Sequence, residues 1–177
     1  MGARTLITVA EFEKLPDDGN LHELDEGELI VTPPPRPRHG RIQRIVALAL
    51  DQAAKQGGGE VLIETGFRLA SDVVQAPDVA FIRAEKQGQI DWDRYCEFGP
   101  DLAVEILSPD DKAGLLQRQI ARYFEAGTTT VWVLDPNSIT LTVYEAGGKF
   151  RTLCASDLID SPEVLPGFSA TVSSLFE

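Results

Sequence analysis

Apolar residues recur at two spacings along the chain, and together these spacings predict a series of helices and strands. Helical spacing, with apolar positions three and four residues apart, occurs over 41–56 and 115–127. Short apolar runs of strand length occupy 60–70, 75–83, 102–107 and 129–134. Strand pairs around turn residues predict two hairpins, over 21–32 and 138–154.

The order of these elements predicts an α/β or α+β fold. A short helix begins at the cap residue Thr8, and a helix joins strand 102–107 to strand 129–134. A helical connection of that kind is consistent with a parallel crossover in a mixed sheet. We therefore expect a mixed central sheet flanked by helices, with an N-terminal and a C-terminal β-hairpin. Since domains commonly have ~100–200 residues, residues 1–177 are expected to form a single domain.

Two carboxylates interrupt apolar strands. Asp78 lies in "APDVAFI" and Glu105 in "LAVEIL". A strand buried on both faces is nearly all apolar, and an unpaired carboxylate there costs several kcal/mol. The residues alone leave three explanations open: a structural Arg or Lys partner, a divalent cation held by both acids, or exposure at a sheet edge. Mg²⁺ is typically held by one or two carboxylates with waters and a phosphate, which suits the second explanation.

The charge balance bears on possible partners. The formal net charge is −12, which argues against a protein that simply coats nucleic acid. One segment differs, because Arg36, Arg38, Arg41 and Arg44 occur with no acid between them. It is either a solvated loop and helix start or a local phosphate-contacting patch. His39, in the same segment, is expected to make a structural hydrogen bond or to contact a phosphate or the surroundings of a metal.

The remaining composition narrows the class of protein. Cys96 and Cys154 are too few for a disulfide framework or a zinc site, and both are expected to be buried. No apolar stretch approaches the ~18 residues of a membrane span, so a cytoplasmic protein without a membrane role is expected. Ser108, followed by a proline and two acids, is interpreted as a helix cap rather than a nucleophile.

Several segments together resemble the Uma-type restriction endonuclease family of bacterial proteins. They are "PDVAFI", "DLAVEILSP" and "QIARYFEAGTTTVWVLDP", preceded by "HELDEGELIVTPPPRPRHGRI". The similarity extends from about Thr8 to the closing "LPGFSATVSSLF". The resemblance implies the restriction-endonuclease-like fold of the PD-(D/E)XK superfamily. It also implies that Asp78 and Glu105 bind Mg²⁺ and that Glu23 is an accessory acid.

The chain departs from the superfamily pattern at its lysine. The position two residues after the second acid is Leu107, and the alternative position, four residues before Tyr123, is Gln119. Gln119 is either a polar residue at the edge of the core or a group that orients the attacking water. Helical geometry places Arg122 and Lys112 on a side of the helix from which they would supply positive charge.

The resulting hypothesis is an Mg²⁺- or Mn²⁺-dependent endonuclease that hydrolyses DNA. Its catalytic residues would be Asp78, Glu105, Gln119 and Glu23, with the first two as metal ligands. The residues expected to contact nucleic acid are Arg36, Arg38, His39, Arg41, Arg122 and Lys112. The alternative is a non-catalytic module that binds nucleic acid or protein, or has a regulatory role, and that retains the nuclease fold. Apolar strands near 129–145, interpreted as sheet edges, further predict a homodimer.

Overall fold

The structure is a computed structural model that describes residues 6–109 and 113–177. Its helices are α1 (Val9–Phe12), α2 (Pro37–Gly57), α3 (Ala84–Gln87) and α4 (Ala113–Glu125), and a 3₁₀ turn covers Val172–Leu175. Its first six strands are β1 (Leu21–Asp25), β2 (Glu28–Thr32), β3 (Glu60–Ile63), β4 (Phe67–Ala70), β5 (Val73–Gln75) and β6 (Val79–Ile82). The others are β7 (Leu102–Ile106), β8 (Thr130–Asp135), β9 (Thr140–Glu145), β10 (Lys149–Leu153), β11 (Leu158–Asp160) and β12 (Ser169–Thr171).

A six-stranded mixed sheet forms the centre of the fold, in the order β10-β9-β8-β7-β6-β3. Strands β7 and β8 are parallel, and the other neighbouring pairs are antiparallel. A second sheet has the order β2-β1-β5-β4, and β11 pairs with β12. The predicted class is confirmed: the protein is a mixed α+β fold with helices flanking a mixed sheet. Both predicted hairpins are present, as β1-β2 and β9-β10.

The central sheet separates two apolar clusters, and the side chains of β7 alternate between them. Leu102, Val104 and Ile106 join the large cluster that includes the buried residues of α2. Ala103 joins the opposite cluster, with Ile120 and Tyr123 of α4. Glu105 is on the same face of β7 as Ala103, so its side chain points toward α4.

Two of the predicted strands were wrong in extent. The run 60–70 is divided into β3 and β4, which lie in different sheets. The run 75–83 contains only the last residue of β5, Gln75, and the whole of β6, and these two strands also lie in different sheets. At the first break Glu64 has a positive φ of 47°. At the second, Pro77 has no N–H to donate to a neighbouring strand. Asp78 therefore immediately precedes β6 rather than lying inside a long strand.

Several smaller expectations also need correction. Strands β8 and β9 lie in the interior of the central sheet, whose edges among the described strands are β3 and β10. The edge argument for a homodimer was therefore wrong, and the dimer itself stays a prediction.

Helix α2 begins at Pro37, four residues before the predicted start at 41, because proline suits the first helical turn. Cys154 is exposed, whereas Cys96 is buried as expected.

Two further predictions concern the start of the helix after Ser108 and the absence of a membrane-spanning helix. Part of the helix start predicted at Ser108 lies outside the described residues, which resume at Ala113. Within the described ranges, no helix combines the length and apolar character that crossing a membrane requires.

Candidate active site

Asp78 and Glu105 lie on neighbouring strands at one end of the central sheet. In the β6-β7 pair, Val79 is opposite Val104, and continuing this antiparallel register by one residue places Asp78 opposite Glu105. The Ile106 N–H donates to Asp78 Oδ2 at 2.6 Å. The Asp78 carboxylate thus lies against the main chain beside Glu105, and the structure brings the two predicted carboxylates together.

The Asp78 side chain is fixed from two directions. His39 Nε2, in the first turn of α2, lies 2.8 Å from Asp78 Oδ1, and the Ile106 N–H occupies Oδ2. The Asp78 and His39 side chains are only 15% and 17% exposed. Contacts from α2 and β7 therefore hold the Asp78 carboxylate in one orientation. His39 was expected either to make a hydrogen bond of this kind or to contact a phosphate or the surroundings of a metal, and the structure shows the hydrogen bond.

Glu105 is buried, with 9% of its surface exposed, and α4 supplies hydrogen-bond donors to it. The Tyr123 hydroxyl donates to Glu105 Oε1 at 2.7 Å. The Gln119 amide donates to the same oxygen at 3.0 Å. Burial raises the pKa of Tyr123, and the negative charges of Glu105 and Glu23 raise it further, which keeps the phenol a donor.

Glu23 approaches the same region from β1. Its Oε1 accepts a hydrogen bond of 2.9 Å from the Ala76 N–H, two residues before Asp78. Burial raises the pKa of Glu23 from its ordinary value of 4.5 to about 7, and repulsion from Asp78 and Asp25 adds to the shift. The Ala76 hydrogen bond opposes the shift. Glu23 therefore carries a proton for much of the time near neutral pH.

The donor chemistry at Asp78 and Glu105 suits a hard divalent cation. Mg²⁺ is commonly bound through one or two carboxylates and keeps several waters. A carboxylate has about four lone-pair positions, so the two hydrogen bonds to Asp78 leave capacity for a ligand bond. Across residues 6–109 and 113–177, no group of three or more His, Cys, Asp or Glu side chains is placed to hold a metal ion together. The two carboxylates, completed by water and phosphate, are therefore the donor set that fits.

The basic residues predicted to contact nucleic acid are spread over several parts of the structure. Arg36, Arg38 and Arg41 are exposed near the start of α2, as is Arg44. Arg38 also donates to the Pro136 main-chain oxygen. Lys112 lies outside the described residues. The arginines at the start of α2 thus lie beside His39, the residue that contacts Asp78.

Arg122 connects α4 to the β1-β2 hairpin. Its Nε lies 3.4 Å from Asp25 Oδ1, and its terminal nitrogens contact Glu26 and Glu125. Because Glu23 lies on the same hairpin, these ion pairs help to fix Glu23 relative to α4. A role for Arg122 in binding nucleic acid stays a prediction.

Two residues near the carboxylates were missed in the sequence. In the sequence Tyr123 served only to locate Gln119, although a residue four positions later lies on the same side of a helix and can contact the same group. Gln43, four residues after His39, is buried and donates to the Asp78 main-chain oxygen at 3.1 Å. The sequence did carry a signal for Gln43, because a glutamine at a core-facing position of an amphipathic helix stands where an apolar residue is expected.

The chain is similar to a known protein family and to a solved structure. A model of the Uma2 family, described as "Putative restriction endonuclease", matches residues 9–173. The chain belongs to the Uma2 family. A solved structure from Anabaena variabilis ATCC 29413, described as a "putative nuclease belonging to DUF820", superimposes with a TM-score of 0.84. It is 24% identical, and the match covers 96% of this chain and 97% of that one, which shows a shared fold. A comparison with curated proteins gave no match.

Proposed function

We propose that this Uma2 protein is an Mg²⁺- or Mn²⁺-dependent endonuclease that hydrolyses phosphodiester bonds of DNA. The observation that carries the proposal is the placement of Asp78, immediately before β6, beside Glu105 on β7, with each side chain held in one orientation by neighbouring groups. Family membership supports the reaction class. The two-carboxylate donor set supports a hard divalent cation.

In this proposal Asp78 and Glu105 would hold the cation, and a bound cation would supply charge neutralisation at the scissile phosphate and activation of the attacking water. The work of the surrounding side chains is to fix these two ligands. His39 and the Ile106 N–H orient Asp78, while Tyr123 and Gln119 orient Glu105. Such outer contacts commonly affect metal affinity or activity by ~10–100-fold.

Two further residues have proposed roles in the same reaction. The Gln119 amide donates a hydrogen bond to Glu105. The other hydrogen-bonding groups of the Gln119 amide would orient the attacking water. Glu23, with a pKa of about 7, is an accessory acid that can hold or release a proton near neutral pH. The exposed arginines at the start of α2 would contact the DNA phosphates next to His39.

A cleavage assay tests the proposal. Supercoiled plasmid and a single-stranded oligonucleotide are incubated with the protein and Mg²⁺ or Mn²⁺, in parallel with EDTA. We expect nicking or cutting of the DNA that stops with EDTA and returns when excess cation is added. Binding of DNA without cleavage under any of these conditions would contradict the proposal and favour a non-catalytic module with a nuclease fold.

A further inference from the structure

Gln43 is a buried polar residue whose amide links two acidic positions. Only 7% of its surface is exposed. Its Nε2 donates to Glu64 Oε1 at 3.0 Å and to the Asp78 main-chain oxygen at 3.1 Å. Buried amides keep their hydrogen-bond partners because an unsatisfied donor costs free energy. Gln43 thus holds the Glu64 side chain and the Asp78 main chain at a fixed separation.

Glu64 immediately follows β3 and lies next to Asp78, on the side away from Glu105. In the β3-β6 pair, Ile63 is opposite Val79, and the Glu64 N–H donates to the Asp78 main-chain oxygen at 3.4 Å. Glu64, Asp78 and Glu105 therefore occupy neighbouring positions on three adjacent strands. Unlike Glu105, Glu64 is exposed to solvent.

The backbone of Glu64 is in the left-handed region, with φ of 47°. The other described non-glycine residues with positive φ are Glu26 and Ile139, each in a turn between adjacent strands. Left-handed backbone is unfavourable for a glutamate, whereas glycine adopts it readily. A glycine at position 64 would relieve this strain, yet it would remove the carboxylate that Gln43 holds.

We propose that Gln43 is a positioning residue that holds Glu64 beside the Asp78–Glu105 pair, where the Glu64 carboxylate accepts hydrogen bonds from water around the bound cation. The inference rests on the cation site of the proposed function. This role fits the chemistry of Mg²⁺ and Mn²⁺ sites. Hard cations keep bound waters, and an exposed carboxylate can accept hydrogen bonds from those waters. Glu64 then acts through water rather than as a third direct ligand.

The first test compares Glu64→Gly with Ile139→Gly, because both replace a left-handed residue. Both variants should unfold within about 2–4 °C of the wild type, because relief of the left-handed strain offsets the contacts that are lost and the backbone entropy that a glycine adds to the unfolded chain. Calorimetry without DNA should show that Glu64→Gly lowers the affinity for Mn²⁺ about tenfold. Ile139→Gly should bind Mn²⁺ as the wild type does.

The second test uses Gln43→Leu, which removes the amide but fills a similar volume, and the double variant Gln43→Leu/Glu64→Gly. If Gln43 acts through Glu64, Gln43→Leu should weaken Mn²⁺ binding, and the double variant should bind no more weakly than Glu64→Gly alone. Losses that add, or variants that bind Mn²⁺ like the wild type, would overturn the inference. A wild-type protein that binds no Mn²⁺ would instead overturn the proposed cation site itself, so the two failures are distinguishable.

Discussion

We expect the replacement of Asp78 by asparagine to lower the rate of the proposed metal-dependent DNA cleavage by about a thousandfold or more. Asparagine has nearly the same shape, but it lacks the charge that attracts a divalent cation. A bound cation contributes several kcal/mol to stabilising the transition state, and ~4 kcal/mol corresponds to a thousandfold change in rate. The measurement is the initial rate of plasmid nicking at saturating Mn²⁺ for the wild type and Asp78→Asn.

The matched control for this substitution is Asp51→Asn. Asp51 lies on α2 and pairs with Lys55 on the surface, so its replacement makes the same change in charge away from the site. Asp51→Asn should cleave at close to the wild-type rate. Equal rates for the wild type and Asp78→Asn would place the chemistry elsewhere in the protein.

We expect the replacement of Glu23 by glutamine to make the metal-free protein more stable at pH 8 by about 2–3 kcal/mol and to change its stability little at pH 5. Burial raises the pKa of Glu23 to about 7, so the folded protein binds a proton that the unfolded chain releases near its ordinary pKa of 4.5. Stability from this group is therefore present below pH 4.5 and is lost as pH rises through 7. One pKa unit corresponds to ~1.4 kcal/mol.

The measurement is urea unfolding of both proteins at several pH values between 5 and 8, with EDTA present. Exposed Glu145 provides the control, and Glu145→Gln should follow the wild type across this range. A difference between the wild type and Glu23→Gln that stays constant from pH 5 to pH 8 would show that Glu23 does not titrate as described.

The sequence predicted those parts of the fold that depend on local pattern. The apolar run 102–107 correctly predicted β7, and turn residues located both hairpins. The breaks at Glu64 and Pro77 were not predicted, although polar residues, a glycine and a proline interrupt the apolar runs at these points. Hydrophobicity alone does not reveal that a chain leaves one sheet and enters another.

The sequence indicated the two carboxylates of the candidate site but not the side chains that contact them. Asp78 and Glu105 stand out because charged residues interrupt apolar strands. Their partners come from distant parts of the chain: His39 is 39 residues before Asp78, and Tyr123 is 18 residues after Glu105. Such pairings depend on how α2 and α4 pack on the sheet, which local periodicity does not specify.

The most direct test of the metal site is a calorimetric titration of Mn²⁺ into the wild type, Asp78→Asn and Glu105→Gln at pH 8 without DNA. We expect measurable binding by the wild type and its loss in both variants, while thermal unfolding shows that all three are folded. Binding by Asp78→Asn and Glu105→Gln with the affinity of the wild type would contradict this expectation.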